Sequence, residues 1–195
     1  MRSWLSSVLV AVCVLACGGR AELPHLAQVP EFALRNQRDE TVSAKDLRGK
    51  IWIANFMFTS CPDVCPILTT KLSGVRSRLV GDRVKIEYVS FSVDPQTDTP
   101  AVLAKYAAEH HVDFRDWRFL TGPLDQIQRV VIGGFKQSIQ RDPNAKAGSP
   151  ESILHGSHFV LVDRALSIRG FYPSDEEGLQ RLVRDARMLA LRGDG

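Results

Sequence analysis

Two cysteines four residues apart, Cys61 and Cys65, lie in the stretch Phe58-Thr59-Ser60-Cys61-Pro62-Asp63-Val64-Cys65-Pro66. Thiols at this spacing support two chemistries. As thiolates they are soft ligands able to point at one soft ion, and Cu(I) is the ion such ligands favour. Oxidised, they form a disulfide and take part in thiol–disulfide exchange, so metal binding would require prior reduction. Thioredoxin-type oxidoreductases place two residues between their cysteines and this chain has three, so the ring is larger. Spacing alone leaves metal and redox chemistry open. A purely structural disulfide closing so short a loop would add little stability. Zinc fits less well, because structural zinc sites gather Cys and His in two close pairs.

Pro66 is expected at the first position of a helix, where a missing N–H costs nothing. Cys65 would then sit at the helix N-terminus and Cys61 one turn earlier. The positive end of the helix dipole is expected to favour thiolate there.

A third ligand would favour the metal, and five histidines are available. His25, His110 and His111 are expected to be solvated surface residues. His155 and His158 precede the apolar run Phe159-Val160-Leu161-Val162. In a thioredoxin-like sheet the loop entering that strand faces the dithiol, so either can complete a Cys2His set. Asp63 and Asp94 are auxiliary candidates that would contact a partner or tune the thiols. Their plainer roles are helix-terminus electrostatics for Asp63 and turn initiation for Asp94. A thiol peroxidase would carry Thr three residues before its reactive Cys. Phe58 and Pro62 occupy those positions, which argues against that class.

These residues need a scaffold. Phe32-Ala33-Leu34 and Glu40-Thr41-Val42 are expected to form a hairpin across a polar turn. Residues 51–58 read as a fully buried central strand. Leu68, Leu72, Val75 and Leu79 recur at helical spacing, and residues 84–93 alternate as a second strand. Thr99-Pro100 supplies a cap and a first-turn proline for the next helix. Residues 117–120 read as a short strand, Leu124 to Val131 as another helix, and 140–151 as a polar surface loop. Residues 158–163 and 167–172 make a final hairpin, followed by an amphipathic helix through Leu179, Leu182, Val183, Ala186 and Leu189. Trp52 and Trp117 are expected in the core. The order implies an α/β domain. By analogy, a dithiol just past the first central strand gives it a thioredoxin-like central sheet flanked by helices, with an N-terminal β-hairpin.

The chain has 195 residues, suited to one domain, and a formal charge of +3. Arg2 and Arg20 are the only charged residues in 1–21, leaving 23 basic against 22 acidic groups in the remainder. That balance carries no footprint for nucleic acid. The apolar run Trp4 to Cys17 falls short of the roughly 20 residues of a spanning helix. Residues 1–21 are therefore expected to be a secretory signal. Val14-Leu15-Ala16-Cys17 is similar to a bacterial lipobox, with Cys17 lipidated, although Leu15 departs from the small residue usual there. Cleavage after Ala21 and an uncleaved anchoring helix are the alternatives. Each places the remainder outside the cytoplasm: a tether over 22–30 and a domain over 31–195. Cys13 and Cys17 belong to the leader, so the domain contains only Cys61 and Cys65.

Three motifs then point to a family. Residues 56–66, FMFTSCPDVCP, resemble the signature of the Sco/SenC copper proteins, a phenylalanine-rich strand followed by T-x-C-P-x-x-C-P. Residues 92–100 resemble its S-x-D-P-x-x-D-T-P segment, and 153–163 its H-x-S-x-F-x-L-V segment. The resemblance implies a thioredoxin-like fold outside the cytoplasmic membrane, anchored by a helix or a lipid. It also implies Cu(I) or Cu(II) held by Cys61, Cys65 and His155, the leading His of the third motif. The implied partner is a copper-receiving protein, a cytochrome c oxidase subunit, whose dinuclear copper centre the family assembles. A thiol–disulfide oxidoreductase that keeps target cysteines reduced is the competing function, and it has no need of His155. The turn Arg164-Ala165-Leu166 lacks the family's usual Asp-Gly, which is expected to alter the turn and leave the site intact.

Overall fold

The computed structural model describes residues 22–137, 139–141, 153–155 and 158–191. Its strands are β1 (Ala27–Gln28), β2 (Ala33–Asn36), β3 (Thr41–Ser43), β4 (Trp52–Met57), β5 (Glu87–Ser92), β6 (Trp117–Thr121), β7 (Ile139–Arg141), β8 (Ile153–His155), β9 (Phe159–Val162) and β10 (Ser167–Tyr172). Its helices are α1 (Val64–Gly81), α2 (Pro100–Glu109), α3 (Leu124–Gln128) and α4 (Glu176–Leu191). Among the described residues, one sheet runs in the order β1-β10-β9-β4-β5-β6-β2-β3, and β7 pairs with β8 apart from it.

All six residues of β4 are buried, as a central strand covered on both faces requires. It pairs in parallel with β5, from Trp52 opposite Glu87 to Met57 opposite Ser92. β5 in turn pairs in parallel with β6. Parallel neighbours need a crossover, and α1 and α2 supply the two. β9 lies antiparallel on the other side of β4, with Ile53 opposite Leu161. The chain leading into β9 therefore arrives at the end of the sheet where β4 leaves for the cysteines.

Alternation along the strands divides the core into two layers. Trp52, Phe56 and Phe91 point to one face and meet Phe135, with ring centroids 5.9, 5.3 and 5.4 Å from it. Phe135 closes a π-helical turn, Arg129–Gly134, that continues α3. On the other face Tyr106 of α2 packs against Phe119, and its hydroxyl lies 2.9 Å from Thr69 Oγ1 on α1. Tyr172 of β10 donates to Asp185 of α4 at 2.9 Å on that same face. Trp117 Nε1 donates to Ser90 Oγ at 2.8 Å, and Ser90 Oγ donates to Asn55 Oδ1 at 2.6 Å, a buried polar chain that links β6, β5 and β4. Trp52 and Trp117 are both core residues.

Two stretches depart from expectation. Ala27–Gln28, within the segment read as a tether, adds an edge strand to β10, and Val29 is buried. Pro30 packs so closely on the π turn that a Cβ at Gly134 would lie 2.3 Å from it. At the start of the segment read as a polar loop, Gln140 and Arg141 pair with Leu154 and Ile153; residues 142–152 lie outside the description. The turn at Arg164–Leu166 has its own solution. Leu166 adopts φ 64°, a left-handed conformation costly for a residue with a Cβ. Asp163 Oδ1 holds the turn by accepting the N–H groups of Ala165 and Ser167 at 2.9 and 2.8 Å.

Candidate functional site

The cysteine loop grows directly out of β4. Phe58 continues the buried strand, and its carbonyl accepts the Cys61 N–H at 3.3 Å. Asp63 is the N-cap of α1, so Cys65 is its second residue and Pro66 its third. The proline thus lies two positions deeper than expected. It still breaks nothing, because the first four N–H groups of a helix have no intrahelical partner. One of those groups, the Cys65 N–H, donates instead to Cys61 Sγ at 3.4 Å. That bond brings both sulfurs onto one turn, and neither cysteine is in a disulfide.

The two thiols sit in different surroundings. Cys61 is half-buried and Cys65 is fully buried. Burial pushes the Cys65 thiol well above the ordinary thiol range; a backbone hydrogen bond with Phe58 opposes this, and the nearby Cys61 and Asp98 reinforce it. The expectation of a thiolate favoured by the helix terminus is therefore corrected for Cys65. Loss of hydration outweighs the dipole at a group with no exposed surface.

A carboxylate that sequence reasoning passed over organises the loop. Asp98, fully buried, accepts the Thr59 N–H at 3.2 Å from each oxygen, the Thr59 hydroxyl in a short bond, and the Ser92 hydroxyl at 2.6 Å. It joins the last residue of β5 to the strand-to-helix loop that carries Cys61. Burial raises the Asp98 carboxyl above its usual range, against the lowering effect of the Ser92 and Thr59 hydrogen bonds. The signal for it was in view, since Asp98 is the second Asp of the S-x-D-P-x-x-D-T-P segment.

The other candidates scatter. Asp94 is buried just past β5, and its backbone carbonyl accepts the N–H groups of Thr97 and Asp98, which is turn formation. Asp63 is exposed, and its side chain makes no capping bond. His158 is exposed immediately before β9. His155 ends β8 with its backbone opposite Ile139; its ring lies outside the described residues, as does Cys17. Among the described residues no three His, Cys, Asp or Glu side chains converge as a metal site. His25 is more than a solvated residue, because its ring meets Ser167 Oγ at 2.9 Å and Arg169 at 2.8 Å. The His110 ring packs 4.3 Å from that of Tyr106. No helix among the described residues is long and apolar enough to cross a membrane.

Comparison with known proteins extends this description. A Bacillus subtilis protein named SCO1 protein homolog is 32% identical over 160 residues, covering 81% of this chain and 80% of its own. The solved structure of BsSco, described as a member of the Sco family of cytochrome c oxidase assembly proteins with a disulfide switch, superposes with a TM-score of 0.74 at 29% identity, covering 86% of this chain and 95% of that one. Bradyrhizobium japonicum ScoI, solved with copper bound, gives 0.71 at 25% identity, covering 84% and 99%. The fold is thus the thioredoxin-like one expected. The SCO1/SenC family model matches residues 20–190, and the chain belongs to that family.

Proposed function

We propose that this protein is a copper metallochaperone working outside the cytoplasm. Cys61, Cys65 and His155 bind Cu(I) and Cu(II), and the protein delivers copper to, or prepares, the dinuclear copper centre of cytochrome c oxidase. The observation that carries the reading is the placement of two sulfurs on one turn, neither in a disulfide, with Cys61 Sγ against the Cys65 amide. It is supported by β9 entering at that same end of the sheet, four residues after His155. The relatives add weight, one solved with copper and one described as an oxidase assembly protein.

The donor set suits the cargo. Thiolates favour Cu(I), and an imidazole added to two thiolates can also hold Cu(II). Loading requires both thiols to give up their protons, and the buried Cys65 thiol resists this, so copper affinity falls as pH falls. Asp98 acts from behind, fixing the loop through Thr59 while the more accessible Cys61 meets the incoming ion or the partner. Residues 1–21 act as a secretory signal, with lipidation of Cys17 as the membrane anchor.

The test is an anaerobic Cu(I) titration, followed by Cu(II) with optical spectroscopy, on the protein and on Cys61→Ser, Cys65→Ser and His155→Ala. One equivalent should bind, with sulfur-to-copper charge transfer in the Cu(II) form that either serine substitution abolishes. His155→Ala should weaken Cu(II) binding strongly. Unchanged Cu(II) binding in His155→Ala, with thiol reductase activity intact, would move the assignment to a thiol–disulfide oxidoreductase.

A further inference from the structure

The end of the sheet opposite the cysteines contains a cleft of about 650 Å³. It lies between the starts of β4 and β5 and the segment that follows α1, and its volume is within the usual range for small-molecule sites. Ile51, Val80, Val84 and Ile86 give it apolar walls. Tyr88 also lines it, with a side chain otherwise buried and a hydroxyl that has no hydrogen-bond partner among the described residues. Lys50, Arg83, Lys85 and Arg164 add four cations to the lining.

The two acids in the lining are already engaged. Asp116 accepts Arg76 Nε at 2.8 and 3.0 Å. Glu87 pairs with Arg118 in a short contact and with Lys50 at 3.7 Å. The side chains of Arg83 and Lys85 have neither ion pair nor hydrogen bond among the described residues. The negative end of the α1 dipole attracts cations to this region, but that attraction fades within a turn and builds no cavity. An apolar pocket with a free phenol inside and unneutralised cations at its mouth is complementary to one kind of molecule.

We propose that this cleft binds a small amphipathic anion, with its carboxylate or phosphate head on Arg83 and Lys85 and its apolar body against Ile51, Val84 and Ile86. The site is independent of the copper reading and lies at the far end of the fold from it. The anion comes either from solution or from a lipid, and the two sources share this chemistry.

The probe is decyl phosphate below its micelle concentration, titrated into the full protein by calorimetry, with inorganic phosphate and decanol as half-ligands. Saturable one-to-one binding of decyl phosphate is expected, with both half-ligands about tenfold weaker or more. Arg83→Glu/Lys85→Glu should weaken it by a further factor of about ten or more. Val80→Trp, which fills the cleft from an exposed position, should also weaken it while leaving copper stoichiometry unchanged. Sedimentation with phosphatidylglycerol vesicles, compared with phosphatidylcholine, separates the sources. Cosedimentation lost in the same variants assigns a lipid, and its absence alongside decyl phosphate binding assigns a soluble anion. No saturable binding of decyl phosphate, or equal binding by wild type and both variants, would overturn the proposal.

Discussion

Replacing Asp98 tests whether the loop is held from beneath. Its carboxyl accepts three groups, the Thr59 N–H, the Thr59 hydroxyl and the Ser92 hydroxyl. Asp98→Ala leaves all three without that acceptor, and a buried donor left unsatisfied costs about 1–3 kcal/mol. Thr59 is partly exposed and water can recover some of its loss, whereas Ser92 is fully buried. The expected destabilisation is therefore about 2–4 kcal/mol, a large share of a stability typically near 5–15 kcal/mol. Asp98→Asn keeps an acceptor for Thr59 and has no charge to bury, so it should cost about 1 kcal/mol or less. Urea denaturation of the reduced protein measures both. Alkylation of Cys65 under native conditions reports the loop itself and should accelerate in Asp98→Ala, because loosening Thr59 opens the cover over the buried thiol. A loss below about 1 kcal/mol in Asp98→Ala, with Cys65 as protected as before, would refute this role for the carboxylate.

Asp98 also sets a pH dependence of unusual sign. Its carboxyl is raised in the folded state, so the folded protein holds this proton more tightly than the unfolded chain. The stabilisation from this group is complete below the ordinary carboxylate range and is lost as pH rises through the raised value. Denaturation midpoints measured across mildly acidic pH should show that slope in wild type and a flatter profile in Asp98→Asn. Limited iodoacetamide treatment of the reduced, copper-free protein should label Cys61 before Cys65, since only the former has exposed surface and burial holds the latter protonated; peptide mapping gives the order. Gly178→Ala should destabilise by about 1–3 kcal/mol in a thermal melt, because the new methyl would lie 2.2 Å from the Pro173 carbonyl oxygen at the start of α4.

The parts of the fold visible in the sequence are those encoded by local pattern. A long apolar run announced β4, helical spacing of Leu68, Leu72, Val75 and Leu79 announced α1, and Thr99 caps α2 by accepting the Val102 N–H. β1 was hidden because an edge strand of two residues is held by backbone bonds to β10 that leave no side-chain pattern. β7 was hidden because its residues are mostly polar and its partner β8 lies beyond the polar stretch that follows it. Residue type and spacing exposed the dithiol; the different states of its two thiols were not legible. Burial of Cys65 comes from how the sheet and helices close over it, whereas a helix terminus is a local feature. The role of Asp98 is likewise set by the turn, in which the Asp94 carbonyl gathers two N–H groups and Asp98 is left facing Thr59.

On the proposed function, Cys61, Cys65 and His155 meet on one copper ion. X-ray absorption at the copper edge, on the loaded protein and on loaded His155→Ala, addresses it most directly. Two sulfur neighbours and one imidazole nitrogen are expected in the Cu(II) form, with the imidazole signal lost in the variant and both sulfurs retained. A copper shell without sulfur, or an imidazole signal that survives removal of His155, would contradict it.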